Sequence, residues 1–155
     1  MPFIIKWPGK VAKGSTCHEL VSQIDLMATL ASVVGYKLTD KQAEDSHDLL
    51  PLITGKTEKG PRTTHIHNTF DRAWAIRDGD WVLVDAKTGY HSSVGKGWED
   101  KYGYKPQTKP ALYNLKEDIG QKNDLIDKHP EKAQALRALM KKIREQGHSA
   151  PRLSK

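Results

Sequence analysis

Apolar and polar positions are most sharply ordered over residues 73–84, AWAIRDGDWVLV. Trp74 and Ile76 alternate with polar or small neighbours up to Asp78-Gly79. Trp81 and Leu83 lead away, and Val82 and Val84 make the second half a nearly continuous apolar run. This pattern predicts a β-hairpin, with Asp78-Gly79 as the centre of a type I′ turn. A lone hairpin is marginal in water, so further strands and a covering helix are needed. Residues 111–115, ALYNL, read as another strand, and 63–70, TTHIHNTF, have extended character. The helix is Pro130–Gln146. Pro130 suits a first helical position, and Leu136, Leu139, Met140 and Ile143 share one face. Gly147 supplies the stop.

The N-terminal third is patterned differently. Residues 2–7, PFIIKW, set three apolar side chains in a row without alternation, which suits a strand buried on both faces. Asp25 reads as an N-cap. Leu26, Met27, Leu30, Val33 and Val34 follow at helical spacing, with Gly35 as the stop and Met27 as core filler. Ser46 or Asp48 is expected to cap a short helix carrying Leu49, Leu50, Leu52 and Ile53, with Pro51 in its first turn and Gly55 closing it. Residues 56–62 form a charged linker. Residues 85–110 form a long loop rich in Gly and Lys that carries Tyr90, His91, Trp98, Tyr102 and Tyr104. A loop of that length in a small domain is usually functional or disordered, and its aromatics argue for function.

Composition sharpens this. A chain of 155 residues can bury roughly 70% of the surface it exposes unfolded, yet 37% hydrophobic residues and a mean hydropathy of −0.67 are thin for such a core. Either much of the chain is loop or part of the core is supplied by something else. The net charge of +6 is spread along the whole length, which is the pattern of solvated surface. A polyanion-binding face stays open. No RNA-binding or zinc-finger signature argues for a nucleic-acid reader. No stretch approaches the roughly 20 apolar residues that cross a membrane, and the run at 2–7 is too short for a signal peptide. The single cysteine, Cys17, excludes an internal disulfide framework.

Candidate chemistry is sparse. There is no phosphate-binding loop, dinucleotide glycine fingerprint, GxSxG or HExxH. Cys17 has His18 beside it, but neighbours on an extended segment point to opposite faces, so His18 is poorly placed as an activating base. A half-buried small side chain is the simpler reading. His65 and His67 are two apart, which on a strand puts both rings on one face. That face could bind a metal if an acid such as Asp71 joined it, could serve as a polar ligand-facing edge, or could be ordinary solvated surface. Arg77 reads as a cross-strand ion pair or solvated tip. Tyr90, His91 and Trp98 could stack on a sugar or aromatic ligand, or form a small satellite core. Glu117 and Asp118 diverge as neighbours and suit turn capping rather than acid–base work.

Four stretches, in order from residue 2 to about 147, together resemble the C-terminal portion of the sulfatase family, the arylsulfatase-like branch of the alkaline-phosphatase-type fold. PFIIKWPGK resembles the segment after the family's EGG-x-R run. SQIDLMATLASVVG resembles its D-[LI]-x-x-T-[LI] helix. AWAIRDGDWVLV resembles its AIR-x-G-x-WKL hairpin, with Val82 at the lysine. ALYNLKEDIGQKNDL resembles LY-[DN]-L-x-x-D-x-x-E-x-x-N-L, with Ile119 and Gln121 where proline and glutamate are usual. The resemblance implies an α+β fold: a small antiparallel sheet (hairpin 73–84 plus strand 111–115) packed by a C-terminal helix, preceded by a strand–helix remnant of a larger α/β domain. Residues 1–58 would be that remnant and 59–155 the C-terminal subdomain.

It further implies a sulfuric ester hydrolase as parent, periplasmic or secreted, dependent on formylglycine and a divalent metal, usually calcium. The formylglycine arises in a C/S-x-P-x-R motif upstream of the matched region. Cys17-His18-Glu19-Leu20 does not fit that motif, and no catalytic or metal-ligating residue carries over. The parent sequence is expected to run on ahead of Met1. The chain would then be structural and substrate-shaping, with His65, His67, Asn68, Tyr90 and His91 facing the sulfate ester. Exposed apolar surface near Phe3 and Ile5 would promote self-association. The alternative is a stand-alone basic module for a sulfated or other polyanionic ligand, and a small His-based metal protein is a further rival.

Overall fold

A four-stranded antiparallel sheet grows outward from the expected hairpin, in the spatial order β1-β2-β3-β4. The structure, a computed structural model, describes residues 3–68, 73–86, 97, 101 and 109–151. The strands are β1 (Thr64–Asn68), β2 (Trp74–Asp78), β3 (Trp81–Asp85) and β4 (Ala111–Asn114). Ile66, Ile76, Leu83 and Leu112 lie opposite one another across all four. They form one row of the face covered by helix α3 (Pro130–Gln146), whose Ala133, Leu136 and Met140 complete the core. This is the α+β arrangement expected from the pattern, and α3 has its expected bounds. Trp74, Trp81, Ile126 and Leu139 pack around the rim. Leu125 N–H donates to the Leu112 carbonyl at 2.7 Å, so the return to α3 is anchored on β4.

The hairpin turn differs by one residue from the expected one. Asp78 pairs with Trp81, so the two central residues are Gly79 and Asp80. Gly79 has φ of +57°, and Asp80 is not among the residues with positive φ. Glycine alone at the first central position is the pattern of a II′ turn, whose twist also matches the flanking strands.

The chain divides into two compact units, one holding residues up to 63 with the C-terminal turn from 146, the other residues 64–145. The first unit contains a 3-10 turn (Gln23–Asp25), α1 (Leu26–Val33) and α2 (Leu50–Ile53). Two expectations fail there. Residues 3–7 carry no strand assignment, and Phe3, Ile4 and Ile5 are exposed. Among the described residues no strand pairs with this run, and the one carbonyl in it that accepts backbone hydrogen bonds outside regular elements, that of Trp7, takes them from Lys10 and Val11 in the following turn. The apolar stripe of α1 also points outward: Met27 and Leu30 are exposed, while Ala28, Thr29 and Ala31 are buried. Met27 is therefore not core filler. Small and hydroxyl-bearing residues face inward because the unit is knit there by hydrogen bonds rather than by apolar packing.

Among the described residues no helix is long and apolar enough to cross a membrane.

Candidate functional site

Strand β1 carries the histidines. Among the described residues it is an edge strand, paired with β2 in the sheet order. Period-two alternation puts His65 and His67 on the face opposite Ile66, and their rings stack with centroids 5.8 Å apart and planes 20° apart. Directly across the ladder, His65 faces Arg77 and His67 faces Ala75. The same row as His65 continues through Val82 to Tyr113. His65 is half-buried and His67 exposed as a whole residue. Partial desolvation of the His67 ring nonetheless lowers its pKa below the ordinary histidine value, which favours a neutral imidazole.

Asn68 alternates to the other face, opposite Trp74. The structure thus brings His65 and His67 together and sets Asn68 apart from them. Tyr90 and His91, with Trp98, lie outside the described residues. Among the described residues Arg77 makes no ion pair; its Nε donates to the Gly79 carbonyl at 2.8 Å, folding it back over the turn. No group of three or more His, Cys, Asp or Glu side chains is placed to hold a metal among the described residues. Cys17 is exposed rather than half-buried. Among the described residues the side chains are therefore not arranged to hold a calcium ion, and Cys17-His18-Glu19-Leu20 lies outside the C/S-x-P-x-R motif.

Asp118 acts as the turn cap expected of it, its Oδ2 accepting from the Lys122 and Asn123 amides at 2.6 and 2.7 Å. Asp124 does similar work, its Oδ1 accepting from Leu112 and Ile126 N–H, each at 3.0 Å.

A buried polar cluster knits the first unit, built from residues whose local sequence patterns do not announce it. Asp25 and Arg62 form a buried ion pair, with Arg62 Nη2 donating to Asp25 Oδ1 at 2.5 Å and Nε to Oδ2 at 3.0 Å. Arg62, at the end of the charged linker 56–62, is only 3% exposed. Its Nη2 also donates to the Asp45 carbonyl. Asp25 was expected to cap α1, but its carboxylate instead accepts from the amides of Ser22 and His47. The capping task passes to Ser46, whose Oγ accepts from Ala28 N–H at 2.8 Å from 18 residues away.

Thr29 joins the two segments: its Oγ1 donates to the Asp25 carbonyl and accepts from Leu49 N–H. Ser32 Oγ donates to Asp48 Oδ2, whose Oδ1 accepts from Leu50 N–H, so Asp48 rather than Ser46 serves the start of α2. Burial by itself raises the Asp25 pKa, but the Arg62 and His47 hydrogen bonds and the Arg62 charge outweigh it and hold the carboxyl below its ordinary value. Burial, and then the Arg62 charge, lower the pKa of His47. The carboxylates of Asp25 and Asp48, the Arg62 guanidinium and the Thr29 and Ser32 hydroxyls are all spent on neighbours within the unit, so the cluster reads as a structural clasp rather than a reactive centre.

No family model matches the chain. It is 29% identical over 148 residues to an N-acetylgalactosamine-6-O-sulfatase of Bacteroides thetaiotaomicron, covering 93% of this chain and 27% of that protein. It is 33% identical over 150 residues to arylsulfatase A of Bos taurus, covering 89% of this chain and 29% of the relative. A solved structure from work on the metabolism of multiple glycosaminoglycans by Bacteroides thetaiotaomicron superposes with a TM-score of 0.70 at 30% identity. It covers 92% of this chain and 28% of that one. A second, in complex with its substrate D-glucosamine-2-N,6-O-disulfate, gives 0.63 at 17% identity over 92% of this chain and 28% of that chain, and so shares the fold alone. The chain spans a little over a quarter of the length of these relatives. From the ordered motifs, the sheet-and-helix fold and these matches together, the chain is a C-terminal portion of a sulfatase.

Proposed function

We propose that the chain is the non-catalytic, substrate-shaping part of a sulfuric ester hydrolase whose formylglycine and calcium centre lies on upstream polypeptide. Residues 1–58 then belong to the enzyme's α/β domain and 59–155 to its C-terminal subdomain. The observation that carries this is the ordered similarity to sulfatases over nine-tenths of the chain, joined to a Cys17 context that cannot become formylglycine. His65 and His67, stacked on one face of an edge strand, are the described candidates for contact with the sulfated substrate. Neutral or protonated imidazole N–H groups donate to ester or sulfate oxygens without supplying a nucleophile. Asn68, Tyr90 and His91 complete the proposed set.

In an enzyme carrying both parts, alanine at His65, His67, Asn68, Tyr90 and His91 should raise KM with little change in kcat. Unchanged kinetics for all five replacements would remove the substrate-shaping role. The purified chain alone should not turn over a chromogenic aryl sulfate, and a turnover that chelation abolishes would overturn the non-catalytic reading.

The stand-alone polyanion module fits less well. Of the three cations Lys141, Lys142 and Arg144 that cluster near the end of α3, Arg144 lies over the Trp74 ring at 4.0 Å and Lys141 is 3.8 Å from Glu145. Strong, salt-sensitive binding of a sulfated polysaccharide by the isolated chain would favour it instead.

A further inference from the structure

We infer that residues 148–150 form a strap that closes the first unit from the far end of the chain, and that Asp45 is its catch. Gly147, at φ of +73°, ends α3 in the left-handed region and turns the chain aside. Ser149 then donates to Asp45 Oδ1 twice, from its backbone N–H and from its Oγ, each at 2.8 Å. Ala150 N–H donates to the Glu44 carbonyl at 3.2 Å. The turn is also braced from within. His148 Nδ1 lies 3.1 Å from the Ala150 carbonyl, an atom that only accepts, so this nitrogen carries the proton. Gln146 Nε2 donates to the His148 carbonyl.

Two observations make the strap a working part of the unit. The first is how little apolar packing the unit has. Among its described residues the buried hydrophobic side chains are Ala28, Ala31, Leu49 and Ala150, so the strap supplies one of them, at 6% exposure. The second is the position of the catch. Asp45 holds the strap with its carboxylate, while its carbonyl accepts from Nη2 of Arg62, the partner of buried Asp25. Next along the chain, Ser46 Oγ accepts from Ala28 N–H, and His47 N–H donates to Asp25 Oδ1. Asp45 is therefore the joint between the strap and the Asp25–Arg62 clasp. Opening the strap frees residues 44–45, and the hydrogen bonds that run on from there to α1 and to Arg62 lose their anchor. Bonds to a carboxylate at a partly exposed site are modest in strength, so the strap opens as a local event without unfolding the sheet and α3. The reading uses contacts within this chain alone and stands apart from the sulfatase assignment.

Amide hydrogen exchange on the full chain and its variants tests this, because it reads local opening residue by residue. In Asp45→Ala, opening at the Ala28, His47 and Leu49 amides should rise by about threefold to tenfold, the size expected of charge-assisted hydrogen bonds near the surface. The Asp45 carbonyl that serves Arg62 is kept in this variant. A chain ending at Gly147 should rise by about tenfold or more at the same amides, since the buried Ala150 goes too. A chain ending at Pro151 retains the strap and should match the full one. The amides of β2 and β3 should keep their protection throughout, which separates release of the strap from general unfolding. Unchanged exchange at Ala28, His47 and Leu49 in both Asp45→Ala and the chain ending at Gly147 would overturn the inference. So would a loss of protection shared equally by β2 and β3, or an equal loss in the chain ending at Pro151.

Discussion

Asp25 shows how much one side chain can organise. Its two oxygens accept from Arg62, Ser22 and His47, tying three separate stretches of the first unit at one buried point. Removing one partner of a buried ion pair strands the other charge, at a cost of about 3–5 kcal/mol. Arg62→Ala and Asp25→Asn should each lower the stability of the first unit by that order in urea unfolding. The double variant Asp25→Asn/Arg62→Ala should lose much less than the sum of the two, and strict additivity would contradict the coupling.

The cluster also sets an acid limit. His47 has a folded pKa below the reference 6.5, so as pH falls through 6.5 the unfolded chain takes up a proton that the folded chain refuses. The unfolded state then binds more protons and stability falls. His67 adds a drop of the same sign. Asp25, depressed below 3.8, contributes stability that is complete above that pH and is lost as pH falls through its folded pKa. The melting temperature should therefore decline from pH 7 to pH 5, and less in His47→Asn and His67→Asn. A flat wild-type profile over that range would refute the assignment.

At the scale of elements, the hairpin and α3 were legible because their patterns stand on local rules. A two-strand alternation around a glycine turn and a heptad-like stripe ending at Gly147 each reach their partners within the same unit. Leu136 is 1% exposed between α3 and the sheet. Leu136→Ala should cost about 2–5 kcal/mol by denaturant unfolding, as large-to-small core changes do. Gly79→Ala should cost about 1 kcal/mol, since alanine resists the positive φ that the turn requires. In contrast, α1 was legible as a helix but not in its orientation. Its spacing announces an apolar face without saying what meets it, and the inward hydroxyls of Thr29 and Ser32 look on paper like the solvent side. The same ambiguity hid Arg62, because a basic residue after Gly60-Pro61 reads as linker unless its acid 37 positions earlier is known to lie beside it.

For the molecule as a whole, the sequence determined the sheet, the closing helix, the sulfatase motifs and the same-face placement of His65 and His67. Each of these depends on residues a few positions apart, where backbone period and turn chemistry suffice. Tertiary structure alone decided which way α1 faces, that Arg62 is buried against Asp25, that Ser46 takes over a helix cap, and that Asn68 parts from the two histidines across the strand. Those outcomes depend on which distant segment arrives first at a buried hydrogen-bond donor or acceptor. A one-dimensional pattern carries no record of that competition.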